Sequence, residues 1–255
     1  MPTPLLIDLD GVLRISGQLA HGGKEFIEFI QKSQISACIL SNTTKLPTSV
    51  ILDFFQENEI DLGEIQIQTA LTTTHDYVKK NYATATVYCE KSAISVFDDI
   101  EKSEQPEAVV LGDLGAGWTY DVMNKIFNQV MNGADIIAMQ VNRFGKNDNG
   151  QLYMDAGAFI ASIEYATGKK AKLMGKPSPI FFHSALKKIG INPTKPFYML
   201  GDDLNADIKA GQDAGGKSIL IMTGKTNRQM LENSNVEPDF VVDNLKEVIK
   251  IISDH

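Results

Sequence analysis

Leu5-Leu6-Ile7-Asp8-Leu9-Asp10-Gly11-Val12-Leu13 opens as an almost unbroken apolar run and ends in two carboxylates and a glycine. Such a run suits a strand of a parallel sheet, buried on both faces. Residues two apart on a strand share a face, so Asp8 and Asp10 are expected to project together beyond its C-terminal end. Gly11 then allows a tight exit. Two carboxylates held together repel and call for a cation, a shared proton or a developing charge. The competing reading is an acidic strand end followed by a turn glycine.

Similar apolar runs recur along the chain. Ala37–Ser41, Ile65–Gln68, Phe197–Leu200 and Ser218–Met222 read as further core strands. An amphipathic helical stripe of Phe26, Ile27, Phe29 and Ile30 lies between the first two. Pro179–Lys188 is a well-punctuated helix, with Ser178 as N-cap, Pro179 at its first position and Gly190 after its end. Alternation of strands and helices predicts an α/β fold, a Rossmann-like doubly wound parallel sheet. Between the third and fourth core strands come three more strand candidates, Ala85–Cys89, Ala108–Leu111 and Asp135–Met139. Helices over Tyr120–Met131 and Ala156–Ala166 alternate with them. The expected organisation is a core of residues 1–71 and 171–255 with an inserted α/β cap domain over 72–170.

Chemistry gathers at the ends of the core strands. Ser41-Asn42-Thr43-Thr44 offers hydroxyls, an amide and backbone N–H groups suited to an oxyanion or phosphate; its plainer reading is an N-cap cluster for a helix containing Pro47. Lys176, in Gly175-Lys176-Pro177-Ser178-Pro179, stands immediately before a capped helix N-terminus, where an ammonium adds to the helix dipole in holding an anion. Gly201-Asp202-Asp203-Leu204-Asn205-Ala206-Asp207 is a second acidic cluster, with the oxygen donors that hard cations such as Mg²⁺ take; helix capping by Asp202 or Asp203 would also account for it. All of these fall where open α/β sheets bind ligands.

The composition narrows the field. The 255 residues are 43% hydrophobic and 22% charged, enough for a packed core, and the net charge is −8. An acidic chain is a poor partner for a polyphosphate backbone, so nucleic acid is not expected. No run approaches the ~20 apolar residues of a membrane span, and the N-terminus has no secretory pattern. Cys38 and Cys89 both lie in apolar, strand-like runs, which argues against a disulfide framework. A cytoplasmic location is the expectation.

With the motifs Asp8–Leu13 (DxDGxL), Ser41, Lys176 and Gly201–Asp207 (GDxxxxD) in this order, the chain resembles the haloacid dehalogenase (HAD) superfamily of aspartate-nucleophile phosphotransferases. The placement of the insertion resembles its subfamily IIA, with a C2-type cap. That resemblance implies a Mg²⁺-dependent phosphatase for small phosphorylated molecules. Asp8 would carry an aspartyl-phosphate and Asp10 would act as general acid and base. Mg²⁺ would be bound by Asp8, the Asp10 carbonyl and Asp202, with Asp203 and Asp207 orienting its waters. Ser41, Asn42 and Lys176 would hold phosphoryl oxygens, with Leu9, Gly11 and Thr43 as further substrate-binding positions. The cap would close over the site, Arg143 and Lys146 being its candidates for contact with an anionic substrate; a solvated basic loop is the other reading of that pair. Relatives of this type suggest a homodimer through the cap. Pyrophosphate or phospho-amino acids are one substrate class; sugar phosphates or nucleotides are another. A phosphoacceptor or binding protein that does not hydrolyse is the alternative from a different class.

Overall fold

The computed structural model describes residues 2–146 and 149–254. The chain forms two compact units, Met1–Ser41 with Val50–Gln68 and Lys176–His255, and Asn42–Ser49 with Thr69–Gly175. No helix among the described residues is long and apolar enough to cross a membrane.

The first unit is built on a six-stranded sheet. Its order is Phe240–Val242, Lys217–Ile221, Tyr198–Gly201, Leu5–Asp8, Ala37–Ser41 and Gln66–Thr69. Leu5–Asp8 is central and parallel to both neighbours, with Leu5 opposite Ala37 on one side and Tyr198 on the other. Strand alternation explains why this sheet is doubly wound. Leu5, Ile7, Ile39, Leu200 and Ile219 pack on one face with Phe26, Ile30, Phe55 and Val248 of the helices Gly23–Lys32, Thr48–Glu57 and Leu245–Ser253. Leu6, Cys38, Leu40 and Met199 pack on the other with Phe181, Phe182 and Leu186 of Pro179–Lys188. Two buried faces account for strands with hardly a polar residue. From Leu5–Asp8 the order runs outward in opposite chain directions, so the switch point lies between it and Tyr198–Gly201.

The expected core strands are all present, displaced by no more than one residue at most ends. The Pro179 helix is capped as its sequence suggests, with the Ser178 side chain accepting from the Ile180 N–H at 3.3 Å. The helix after Ser41 starts at Thr48, one residue beyond Pro47. An edge strand at Phe240–Val242 and two short hairpins were not anticipated: Arg14–Ile15 with Gln18–Leu19, and Phe144–Lys146 with Leu152–Met154.

The second unit holds a four-stranded sheet in the order Lys172–Leu173, Asp135–Ala138, Ala108–Leu111, Ala85–Tyr88, with parallel pairings. Val109, Leu111, Ile136 and Ala138 pack against Ile126 and Val130 of Tyr120–Met131 and Ile160 and Ile163 of Ala156–Thr167. The Asn42–Ser49 segment is fastened to this unit: Leu71 N–H donates to Thr43 O at 3.3 Å, and Thr44 Oγ1 donates to Asp113 Oδ2 at 2.5 Å. Cys38 and Cys89 are both buried and unpaired thiols, and burial pushes them up to about 12 and about 11.

Candidate active site

The first strand stops at Asp8, so strand alternation does not extend to Asp10. Beyond it the backbone folds into a tight turn. Leu9 O accepts from both Leu13 N–H and Arg14 N–H, Gly11 N–H donates to Arg14 O at 2.8 Å, and Gly11 takes φ +92. Leu9 itself is fully buried, its N–H donating to Leu40 O at 3.0 Å. Asp8 is turned inward at 6% exposure, whereas the Asp10 side chain is exposed and paired with Arg14. Asp8 stands opposite Leu40 in the sheet, which puts Ser41, itself buried, one residue further along at the same sheet end.

Lys176 enters from the start of the segment that leads into Pro179–Lys188. Its Nζ lies 2.5 Å from Asp8 Oδ1 and 2.7 Å from Asp207 Oδ1, and all three side chains are buried. Asp207 comes back to this point through the wide turn Leu204–Lys209, where Asp203 O accepts from both Asp207 N–H and Ile208 N–H at 3.1 Å. The approach is close: a Cβ on Gly201 would meet Asp207 Cβ at 2.3 Å. Asp202, at the end of Tyr198–Gly201, completes the group. Asp8, Asp202 and Asp207 each offer a carboxylate oxygen, and these lie within 4.8 Å of one another.

Electrostatics shows what this arrangement suits. Burial pushes the Asp8 carboxyl well up, against the pull of Lys176, and burial likewise raises Asp202. For Lys176, burial works against the ammonium, but Asp207 and Asp8 outweigh it and hold the proton firmly. Three buried carboxylates around one ammonium leave an excess of negative charge in a dry place. Oxygen donors so close together fit a hard cation such as Mg²⁺. Asp203 has other partners. Its Oδ1 accepts from the N–H groups of Asn205 and Ala206 at 2.8 and 2.9 Å, capping the wide turn, and its other oxygen pairs with Lys225 Nζ. Burial raises this carboxyl, but Lys225 and the capped N–H groups outweigh it and hold it down.

The remaining expected residues fall in the second unit. Asn42 and Thr43 are half-buried; Asn42 Oδ1 would meet a Cβ on Gly175 at 2.7 Å, and Thr43 Oγ1 accepts from Lys45 N–H at 3.5 Å. Arg143 is exposed just before the Phe144–Lys146 strand, its carbonyl accepting from Asp155 N–H. Lys146 pairs through its backbone position with Leu152. Sequence reading passed over Arg14 and the Thr223–Thr226 segment. Arg14 follows a motif without belonging to it. In Thr223–Thr226 two of the bonds to Asp202 come from backbone N–H groups, which no pattern of side chains reveals.

A cleft of about 570 Å³ lies at the N-terminal ends of the Ala37–Ser41 and Gln66–Thr69 strands, lined by Ile35, Ala37, Ile65, Gln66 and Lys188. Lys188 there is committed to Ile67 O at 2.8 Å. Buried Asp8, Lys176, Asp202 and Asp207 gather at the other end.

Residues 5–100 match the family described as haloacid dehalogenase-like hydrolase, and residues 173–248 a second HAD-hydrolase-like family. The chain is 30% identical over 251 residues to haloacid dehalogenase-like hydrolase domain-containing protein 2 of Bos taurus, covering 98% of this chain and 96% of the relative. It is 29% identical to phospholysine phosphohistidine inorganic pyrophosphate phosphatase of Rattus norvegicus, over 98% of this chain and 94% of that protein. Among solved structures, 4-nitrophenylphosphatase of Thermotoga maritima superposes with a TM-score of 0.86 at 27% identity, covering 98% of this chain and 97% of that one.

Proposed function

This chain belongs to the haloacid dehalogenase-like hydrolase family, and from that premise we propose that it is a Mg²⁺-dependent phosphatase of small phosphorylated molecules. The observation that carries the proposal is the Asp8 carboxylate, buried at a parallel strand end against Lys176 and grouped with Asp202 and Asp207. The names of relatives that hydrolyse phosphoryl compounds support the same chemistry.

In the first step an Asp8 oxygen attacks phosphorus, the bond to the leaving oxygen breaks, and Asp10 delivers a proton to that oxygen. In the second, Asp10 takes a proton from water, the water oxygen bonds to phosphorus, and the Asp8–phosphorus bond breaks to release inorganic phosphate. Lys176 holds the Asp8 carboxylate in one orientation and sets a fixed positive charge beside the phosphoryl oxygens, joined there by Ser41. Asp8, Asp202 and the Asp10 carbonyl would hold Mg²⁺, with Asp207 grouped beside Asp8 and Asp202. When bound, Mg²⁺ offsets the repulsion between carboxylate and phosphoryl dianion. Asp10, exposed and held by Arg14, serves both proton transfers.

Phosphomonoesters, pyrophosphate and P–N compounds all fit this chemistry; sugar phosphates and nucleotides stand as the other substrate class. The test is phosphate release from p-nitrophenyl phosphate, then from a panel of these classes, by the unsubstituted chain and by Asp8→Asn. Sustained turnover lost in Asp8→Asn supports an enzyme. A single equivalent of bound phosphate without turnover would identify a phosphoacceptor instead.

A further inference from the structure

Asp202 is held between two glycines. A Cβ on Gly11 would stand 2.1 Å from Asp202 Oδ2, and one on Gly224 would stand 1.9 Å from the same oxygen and 2.8 Å from Gly11 Cα. No side chain fits at either position, so both backbones press directly on the carboxylate. Gly224 belongs to Thr223-Gly224-Lys225-Thr226, which follows the Lys217–Ile221 strand. This short segment makes four bonds to the site. Thr223 Oγ1 donates to Gly11 O at 2.6 Å, Lys225 N–H donates to Asp202 Oδ2 at 2.6 Å, and Thr226 N–H donates to Asp202 O at 3.1 Å. Lys225 Nζ pairs with Asp203. The turn after Asp8 and the acidic cluster after Gly201 are thereby tied to one another through a third strand end.

We propose that Thr223-Gly224-Lys225 is a positioning segment that fixes Asp202 as a one-oxygen ligand of the metal. The proposal rests on the metal-dependent function proposed for this chain. Oδ2 accepts from the Lys225 N–H and is enclosed by Gly11 and Gly224, so the other oxygen would be the one to meet the cation. A single fixed oxygen suits the near-octahedral shell of Mg²⁺, which keeps several waters. Ca²⁺ takes more oxygens and accepts both from one carboxylate. The segment therefore favours Mg²⁺ by denying Ca²⁺ its second oxygen, and it does so through a backbone N–H and two missing Cβ atoms.

The test is direct metal binding by the full chain, read from the electron paramagnetic resonance signal of free Mn²⁺ and from its displacement by Mg²⁺ and by Ca²⁺. Thr223→Val removes the hydroxyl that joins the segment to Gly11 and keeps its shape; Gly224→Ala forces Asp202 out of place. Each is expected to weaken Mn²⁺ binding ~10–100-fold, the cost usual for groups that orient a ligand, and to narrow the preference for Mg²⁺ over Ca²⁺. Thr223→Ser, which restores the hydroxyl, should bind as the unsubstituted chain does. Circular dichroism establishes that each variant is folded, and if Gly224→Ala is not, Thr223→Val decides. A folded Thr223→Val chain that binds Mn²⁺ normally, even with a lower melting temperature, overturns the proposal, and so does equal loss in Thr223→Val and Thr223→Ser. Asp202→Ala is run in parallel. If it too binds Mn²⁺ normally, the metal site falls along with the proposal; if it alone loses binding, only the positioning role falls.

Discussion

Arg14 grips Asp10 with two hydrogen bonds, Nε to Oδ1 at 2.7 Å and Nη2 to Oδ2 at 3.0 Å, across the turn that Gly11 closes. The guanidinium carbon lies 5.5 Å from the centroid of the Phe54 ring, so the cation is itself anchored. The carboxylate proposed to move protons is thus tethered by a partner on its own turn. Replacing Asp10 by Asn should slow hydrolysis of an alkyl phosphate by roughly 10²–10⁴, and less for p-nitrophenyl phosphate, whose leaving group needs little protonation. Arg14→Met should act in the same pattern but weakly. An exposed pair of this kind is worth ~0.2–1 kcal/mol, which corresponds to at most about fivefold in kcat. Equal effects on both substrates would remove Asp10 from the proton-transfer role.

Among the described residues Lys176 is the one cation bonded to both Asp8 and Asp207, and it should be the most costly residue of the site to lose. Lys176→Met leaves two buried carboxylates without their ammonium, a change that destabilises by about 3–5 kcal/mol in comparable buried pairs. Thermal melts should show the loss, and saturating Mg²⁺ should recover part of it by supplying positive charge. Asp8→Asn should do the opposite in the fold: it removes a carboxyl that burial already disfavours in its charged form, so stability should hold while turnover vanishes. A melting temperature for Lys176→Met equal to that of the unsubstituted chain would contradict the pairing.

Metal removal has a definite expected result. Turnover should fall away in EDTA, return with Mg²⁺ and fail to return with Ca²⁺, whose larger shell does not keep the octahedral arrangement. Full activity in EDTA would show that the grouping of Asp8, Asp202 and Asp207 serves another purpose.

The second unit carries its own titration. Asp113 Oδ1 and Asp155 Oδ1 each accept from Gln140 Nε2 at 3.0 Å, and Lys45 Nζ lies 3.9 Å from Asp113 and 3.2 Å from Glu90. Burial and the neighbouring Asp155 carboxyl push Asp113 up to about 6 from 3.8. A carboxyl raised in the folded state stabilises fully below its unfolded value, and that contribution disappears as pH rises through about 6. Asp155 is held down and has the opposite sign: its contribution fades as pH falls. Asn at position 113 keeps an acceptor for Thr44 and gives Asp155 a permanent donor. The melting temperature of Asp113→Asn should therefore gain on that of the unsubstituted chain between pH about 4 and 6, by roughly 2–4 °C, and run parallel above. A constant difference across the range would sink this assignment.

The sequence revealed the sheet because its strands are buried on both faces. Leu5–Asp8 and Ala37–Ser41 carry the apolar density that such burial requires, whereas Phe240–Val242 is a three-residue edge strand with Val241 exposed, too short and too mixed to stand out. The titratable site residues were equally legible: Asp8, Lys176, Asp202 and Asp207 were all singled out. Their geometry was not. Nothing in the spacing of Asp202 and Asp207 tells that Asp207 bonds Lys176 while Asp203, between them in sequence, turns to Lys225 and the turn N–H groups. Asp10 looked like the twin of Asp8 until the strand stopped one residue after Ile7. Thr223–Thr226 stayed hidden because two of its four bonds come from amide hydrogens and Gly224 acts through the Cβ it lacks.

The wide turn at Leu204–Lys209 imposes a rule on spacing rather than on residue identity. Asp203 O receives two N–H groups, from Asp207 and Ile208, so the turn holds one residue more than an α-helical turn would. Deleting any one of Leu204, Asn205 or Ala206 would relax it to the tighter form and rotate the downstream residues by about 100°. Asp207 would swing off Lys176, and the whole acidic group would lose its shared focus. Exchange of the exposed Asn205 for another side chain would leave that phase untouched. Insertions and deletions are thus closed to this stretch wherever the site is kept, while an exposed position such as Asn205 is free to vary.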